Sequence, residues 1–142
     1  MKMSVPKTKR SEGKLEVATK ALELESYSID MCSSDKRIPK KARPFVAYPL
    51  VDCARNIVTN IYRANDVFVW DERSHRQRIA YQEAALAEIA ALIHLIDLAK
   101  KRYDLKGSSV VHWIGLAVET REKLRNWRNA DKRKYIEKWV ND

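Results

Sequence analysis

The sequence predicts an all-α fold, an antiparallel up-and-down four-helix bundle, on three observations. Only three glycines and four prolines occur in 142 residues, too little turn material for a fold of many hairpins. Ala, Leu, Lys, Arg and Glu, the strong helix formers, recur throughout. Apolar residues also repeat at spacings of three, four and seven in four long stretches. Short connections between long helices make consecutive helices antiparallel neighbours. The length fits one domain with a substantial core.

Residues 1–13 are polar and basic and carry Pro6 and Gly13, so they read as a disordered arm. The bundle is expected over 14–130, with a basic C-terminal extension at 131–142. The first helix should run from about Leu15 to Ser33. One apolar line holds Leu15, Ala18, Leu22, Ile29 and Cys32; a neighbouring line holds Val17, Ala21, Leu24 and Met31. Pro39 and Pro44 then stop the helix, because proline lacks a backbone donor and restrains the residue before it. The second helix should start near Pro44 and reach Val69, with Pro49 kinking or delaying its start. Its buried face is Val46, Leu50, Cys53, Ile57, Ile61, Ala64 and Phe68.

Asp71 or Ser74 can cap the third helix with a side-chain oxygen. That helix should end near Tyr103 and is apolar almost all round from Ala84 to Ala99. One line is Ala85, Ile89, Leu92, Ile96 and Ala99; a second is Leu86, Ala90 and Ile93; a third is Ala91, Leu95 and Leu98. Three sister helices can cover only part of such a surface. The remainder predicts a subunit interface, built from Leu86, Ala90, Ile93, Leu95 and Leu98. Gly107 should stop the chain, with Ser108 or Ser109 as the next cap. The fourth helix turns Val110, Ile114, Ala117, Leu124 and Trp127 inward.

No unbroken apolar run of about 18 residues exists, so no membrane span is expected. MKMSVPKTKR has no apolar stretch behind it and does not read as a secretory signal. Cys32 and Cys53 lie in apolar helical stretches and read as small buried hydrophobes, which suits a cytoplasmic protein. The chain does not read as an enzyme, and no cofactor is expected. His75, His94 and His112 are isolated, and His94 suggests a core or interface histidine. No histidine pair has zinc spacing, and no glycine-rich phosphate loop or nucleophile elbow occurs.

The charge is the better lead. The chain holds 28 Lys and Arg against 19 Asp and Glu, a formal net charge of +9. That sign favours polyanions, nucleic acid first and an anionic membrane surface second. The basic residues cluster. Lys36, Arg37, Lys40, Lys41 and Arg43 fill one loop. Arg55 and Arg63 lie on the polar side of the second helix. Arg73, Arg76 and Arg78 start the third helix, and Lys100, Lys101 and Arg102 end it. Arg121, Lys123, Arg125, Arg128, Lys132, Arg133 and Lys134 follow in the fourth helix and tail. Phosphate contacts of this kind give affinity through counterion release and carry little sequence information. Any one run alone is an ordinary solvated face; their number makes the argument. Trp113, Trp127, Tyr135 and Trp139 are candidates for stacking on unpaired bases, with the core as the competing place for the first two.

RIPKKARPFVAYPLVDCARNIVTNIYRAN contains a hydrophobic–Pro–Lys step, Ile38-Pro39-Lys40, then Arg43 and a long helix closing near Asn65. A helix like AALAEIAALIHLIDLAKKRYDL follows, then an aromatic-basic step, LRNWRNADK, around Trp127. Over residues 14–134 this order resembles the four-helix-bundle accessory variability proteins of diversity-generating retroelements. These are relatives of proteins encoded in intervening sequences of bacterial 23S ribosomal RNA genes. The resemblance implies a homopentameric barrel with a positive surface and no catalytic site. It also implies a reverse transcriptase as partner, with its template RNA, an RNA/DNA hybrid or DNA, in mutagenic retrohoming. Lys40 and Arg43 fall on the family's loop step; the other basic residues are inferred from charge alone. The basic arm and the longer tail depart from the family pattern. The ribosomal-RNA-associated branch has no assigned activity and implies instead an oligomeric scaffold without a polymerase partner.

Overall fold

The structure, a computed structural model, describes residues 4–140, with side chains from residue 16 onward. It contains α1 (Ser4–Cys32), a 3-10 turn at Lys40–Ala42, α2 (Ala47–Asp66), α3 (Glu72–Tyr103), α4 (Gly107–Tyr135) and a π-helical turn at Ile136–Val140. Each helix packs on its chain neighbours, and α1 closes on α4. Cross-helix contacts run in opposite chain directions, with Lys20 meeting Glu119 where Glu16 meets Lys123. The four-helix bundle and its antiparallel neighbours follow from the sequence periodicity.

The core is one cluster. α3 buries Ala85, Ile89, Leu92, Ile96 and Ala99 completely. α2 buries Leu50, Cys53, Ile57, Ile61 and Ala64, and α4 buries Val110, Ala117 and Leu124. Trp113 is the largest fully buried side chain, and its indole N–H donates to Ser28 Oγ at 2.9 Å. Ser28 in turn donates to the Leu24 carbonyl at 2.8 Å, so the buried polar atoms satisfy each other.

Several expectations are corrected. On α1 the buried residues are Val17, Ala21, Leu24, Ser28 and Met31, joined from the other line by Cys32, whereas Leu22 is exposed and the Leu15 side chain lies outside the described residues. The two apolar lines are a fraction of a turn apart, and contact with both α2 and α4 selects the one between them. Ile114 and Trp127 are half-buried and pack on the rim of the core. The backbone of α1 is helical from Ser4, where a disordered arm was expected; residues 1–3 of that arm lie outside the described residues. Pro6 falls in the first turn, where a missing N–H costs nothing. The extension at 131–142 continues α4 to Tyr135 and turns on to Val140; residues 141–142 lie outside the described residues.

α2 starts at Ala47, later than Pro44, and Pro49 sits in its first turn. It ends at Asp66, so Phe68 lies beyond the helix and is 80% exposed. At the start of α3 both candidate caps act together. Asp71 accepts from the Ser74 N–H at 2.8 Å, and Ser74 Oγ accepts from the Asp71 N–H at 3.1 Å. Gly107 does not stop α3. Asp104 does, in the left-handed conformation at φ 49°, and Gly107 is the first residue of α4. α3 is long and apolar enough by composition to cross a membrane, with mean hydropathy 1.4 in its best window, although charges interrupt the run.

Replacing Trp113 by Ala should cost about 3–5 kcal/mol, the range for emptying a buried aromatic site. Urea unfolding followed by circular dichroism checks this; an unchanged midpoint would contradict the core position of Trp113.

Candidate nucleic-acid interface

Antiparallel packing gathers most of the basic clusters at the two opposite ends of the bundle. The 32 residues of α3 separate them by about 48 Å. One end gathers the α1–α2 loop with the end of α3. There Lys36, Lys41, Lys100 and Arg102 are exposed, with no carboxylate in ion-pair range among the described residues. Arg37 donates to the Asp30 carbonyl at 3.1 Å, which stiffens the loop. Lys101 pairs with Asp97 at 3.0 Å, and Lys40 stands 4.0 Å from Asp35. Arg43 is largely enclosed; it pairs with Asp35 and donates to the Ser33 carbonyl at 3.3 Å.

The other end gathers the α2–α3 connection with the end of α4. Arg63, Arg73, Arg125, Arg133 and Lys134 are exposed and lack a carboxylate partner among the described residues. Arg76 lies 3.8 Å from Glu72. Arg128 and Lys132 share Glu83, at 3.1 and 2.9 Å. The Lys132 hydrogen bond, followed by Arg128, holds the Glu83 carboxyl below its ordinary range. Between the two ends, Arg55 pairs with Glu25 at 3.6 Å and Lys123 with Glu16 at 3.2 Å. Arg121 is half-buried, with its Nε enclosed and without a protein partner among the described residues.

Arg78 is built into the fold. Its Nε donates to the Ala64 carbonyl at 3.2 Å and lies 3.9 Å from Asp131 Oδ2, and its guanidinium covers Trp127 at 5.9 Å. Asp131 is buried at 3% exposure and accepts from Gln82 at 2.7 Å. This polar cluster is what sequence reading missed. Asp131 lies at the head of a basic run, DKRK, and nothing in that local pattern marks it for burial.

His75 belongs to the same cluster and is 2% exposed. Trp139 donates its indole N–H to His75 Nδ1 at 3.0 Å, and an indole can only donate. Nδ1 is therefore unprotonated, and Nε2 carries the hydrogen given to the Asp131 carbonyl at 3.0 Å. Burial, opposed by that bond and by the Asp131 charge, keeps the imidazole below its ordinary pKa. His94, expected in a core or interface, is exposed in this single chain, because it lies on the outer face of α3.

The stacking candidates are also redistributed. Trp113 is core. Trp127 is half-buried under Arg78, Tyr135 donates to Glu72 at 2.6 Å, and Trp139 is held by His75. The open aromatics among the described residues are Phe45 and Tyr48 beside the α1–α2 loop, Tyr62 on α2, and Phe68 and Trp70 in the α2–α3 connection, of which Phe45, Phe68 and Trp70 are the most exposed. An alternation of half-buried Val67 and Val69 with exposed Phe68 and Trp70 was the available signal.

Both cysteines are free and buried. Burial pushes the Cys32 thiol up to about 11, and burial with a Glu88 hydrogen bond pushes Cys53 up to about 12. Neither presents a thiolate at neutral pH. Among the described residues no three His, Cys, Asp or Glu side chains converge as a metal site. The chain matches no family model, no curated protein and no solved structure.

The neutral imidazole of His75 links stability to pH. The unfolded histidine takes up a proton near its ordinary pKa of about 6.5, and the folded one only at lower pH. Stability from this group is therefore complete above about 6.5 and falls as pH drops through the interval below it. Urea midpoints between pH 7.5 and 5 should fall more steeply for the natural chain than for His75→Gln. Parallel curves would remove His75 as the cause.

Proposed function

We propose that this chain is a non-catalytic, nucleic-acid-binding accessory subunit. In this reading it partners a reverse transcriptase and its template RNA in the mutagenic retrohoming of a diversity-generating retroelement. The observation that carries the nucleic-acid part is the pair of cationic bundle ends. Each holds exposed Lys or Arg side chains without a carboxylate partner among the described residues, Lys36, Lys41, Lys100 and Arg102 at one and Arg63, Arg73, Arg133 and Lys134 at the other. Such groups attract phosphates and release counterions on binding. The polymerase and retroelement parts rest on the sequence resemblance over residues 14–134.

Assembly into a homopentameric barrel in the cytoplasm belongs to the same reading. It is supported by the outer face of α3, where Ala84, Ala87, Ala90, Ala91 and Leu98 are exposed while Leu86, Ile93 and Leu95 are half-buried. A face of small and apolar residues lets another helix approach closely. The same face also favours the second reading, a scaffold oligomer of the ribosomal-RNA-insert type without a polymerase partner.

Affinity for RNA should fall about a thousandfold or more between 50 and 200 mM salt. Lys36→Glu with Lys41→Glu should weaken binding to all sequences alike and flatten that slope. Anisotropy titrations showing no salt dependence would reject the nucleic-acid reading. Light scattering should give a particle well above the 16.5 kDa of one chain; a monomer at micromolar concentration would reject the barrel. Co-purification of a reverse transcriptase from the native host separates the accessory subunit from the scaffold.

A further inference from the structure

The α2–α3 connection exposes two large aromatic rings beside arginines, and burial gives no reason for it. Val67 ends α2 in extended conformation, at φ −70° and ψ 119°. From there the chain alternates: Val67 and Val69 turn partly inward, while Phe68 and Trp70 face solvent at 80% and 72% exposure. The backbone beneath is pinned. Trp70 N–H donates to Ser74 Oγ at 3.0 Å, Asp71 N–H donates to the same atom, and Arg78 holds the Ala64 carbonyl one turn upstream. The rings are thus presented by an ordered segment, which lowers the entropy lost on binding.

Trp70 stands between two open clefts. One, of about 420 Å³, is lined by Arg63, Asp66, Phe68, Gln77 and Tyr81. The other, of about 560 Å³, is lined by Asp71, Arg73, Arg76, Gln77 and Ala80. Trp70 and Ser74 border both. Asp71 stays ionised while it caps α3 through Ser74, and Arg76 lies 3.8 Å from Glu72, so Arg73 is the arginine of the second cleft with no carboxylate in ion-pair range among the described residues. Each cleft therefore combines an aromatic wall, a guanidinium and the amide of Gln77.

We infer that the Phe68–Trp70 segment is a single-strand binding site, taking one unpaired nucleobase on each face of the Trp70 indole. Arg63 and Arg73 hold the adjoining phosphates, and the Gln77 amide meets a base edge. Stacking on an aromatic face is indifferent to sequence, whereas a duplex hides its base faces. The site thus gives this end of the bundle a preference for unpaired over paired strands, which charge alone does not supply. This inference rests on the nucleic-acid reading above and adds to it the strandedness of the ligand.

The test is anisotropy with a labelled 12-nucleotide single-stranded RNA and the matching RNA duplex, using the full chain. Trp70→Ala should weaken single-strand binding by at least roughly 5- to 150-fold, the effect of losing one of the two bases stacked on the indole. Phe68→Ala should weaken it in the same direction. Trp70→Phe should keep most of the affinity, and duplex binding should stay within about twofold for all three. Single-strand RNA should also quench tryptophan fluorescence in the natural chain and much less in Trp70→Phe. If Trp70→Ala and Phe68→Ala bind single strands like the natural chain, or lose both ligands equally, the site is refuted while the nucleic-acid reading stands. If the natural chain binds neither RNA, both fall together. Loss of binding to phosphatidylserine vesicles on Trp70→Ala, with single-strand affinity unchanged, would overturn the site in favour of a membrane contact.

Discussion

The arrangement depends on one rotational choice, that α3 buries the line Ala85–Ile89–Leu92–Ile96–Ala99 and no other. The helix is apolar on several faces, so composition alone would allow several settings. Alanine at both ends of the buried line lets the neighbouring helices approach closely there, with larger side chains filling the middle. Polar residues complete the selection. Turning α3 would carry Gln82 and His75 away from Asp131 and leave buried groups without partners, a cost of about 1–3 kcal/mol each. The same setting sends Ala84, Ala87, Ala91 and His94 outward.

The polar cluster does for one end of the bundle what Trp113 does for the other. A buried carboxylate is tolerable only when its oxygens are engaged. Asp131 Oδ2 accepts from Gln82 and lies 3.9 Å from Arg78 Nε, while the Asp131 carbonyl takes the His75 hydrogen. His75 then holds Trp139, so the π-helical turn after α4 is tied back to α3 by a donor that has no alternative role. Arg78 links this cluster to the end of α2 through the Ala64 carbonyl. Three helices and the C-terminal turn thus meet around one carboxylate, beside the segment that carries Phe68 and Trp70.

The charge pattern reads differently once the chain is folded. Arg43, Arg78 and Arg128, which look like members of basic runs, spend their guanidinium groups on Asp35, Ala64 and Glu83. The exposed side chains left without a carboxylate partner among the described residues are fewer and lie mostly toward the two ends. Salt bridges at exposed positions, such as Lys101–Asp97, contribute little to stability and stay open to competition from phosphates.

Much of the fold was legible because helical periodicity is a local property. The buried line of α2 up to Ala64, the apolar lines of α3, the capping residues Asp71 and Ser74, and the antiparallel order all follow from short spacings, whereas the structure picks the α3 line that is buried and joins the two caps. The basic residues were equally legible as charges. Their roles were not, because a run of lysines and arginines carries no record of which carboxylate will face it across a helix pair. Phe68 continues the apolar spacing of α2, and only the end of that helix at Asp66 puts it in solvent. Asp131 and His75 lie 56 positions apart, and they become one cluster because α3 and α4 run antiparallel. The sequence by itself determined four amphipathic helices and a cationic chain, since both depend on composition and short spacings. The tertiary structure alone decided which charges remain exposed and which aromatic rings stay open, since both depend on contacts between distant segments.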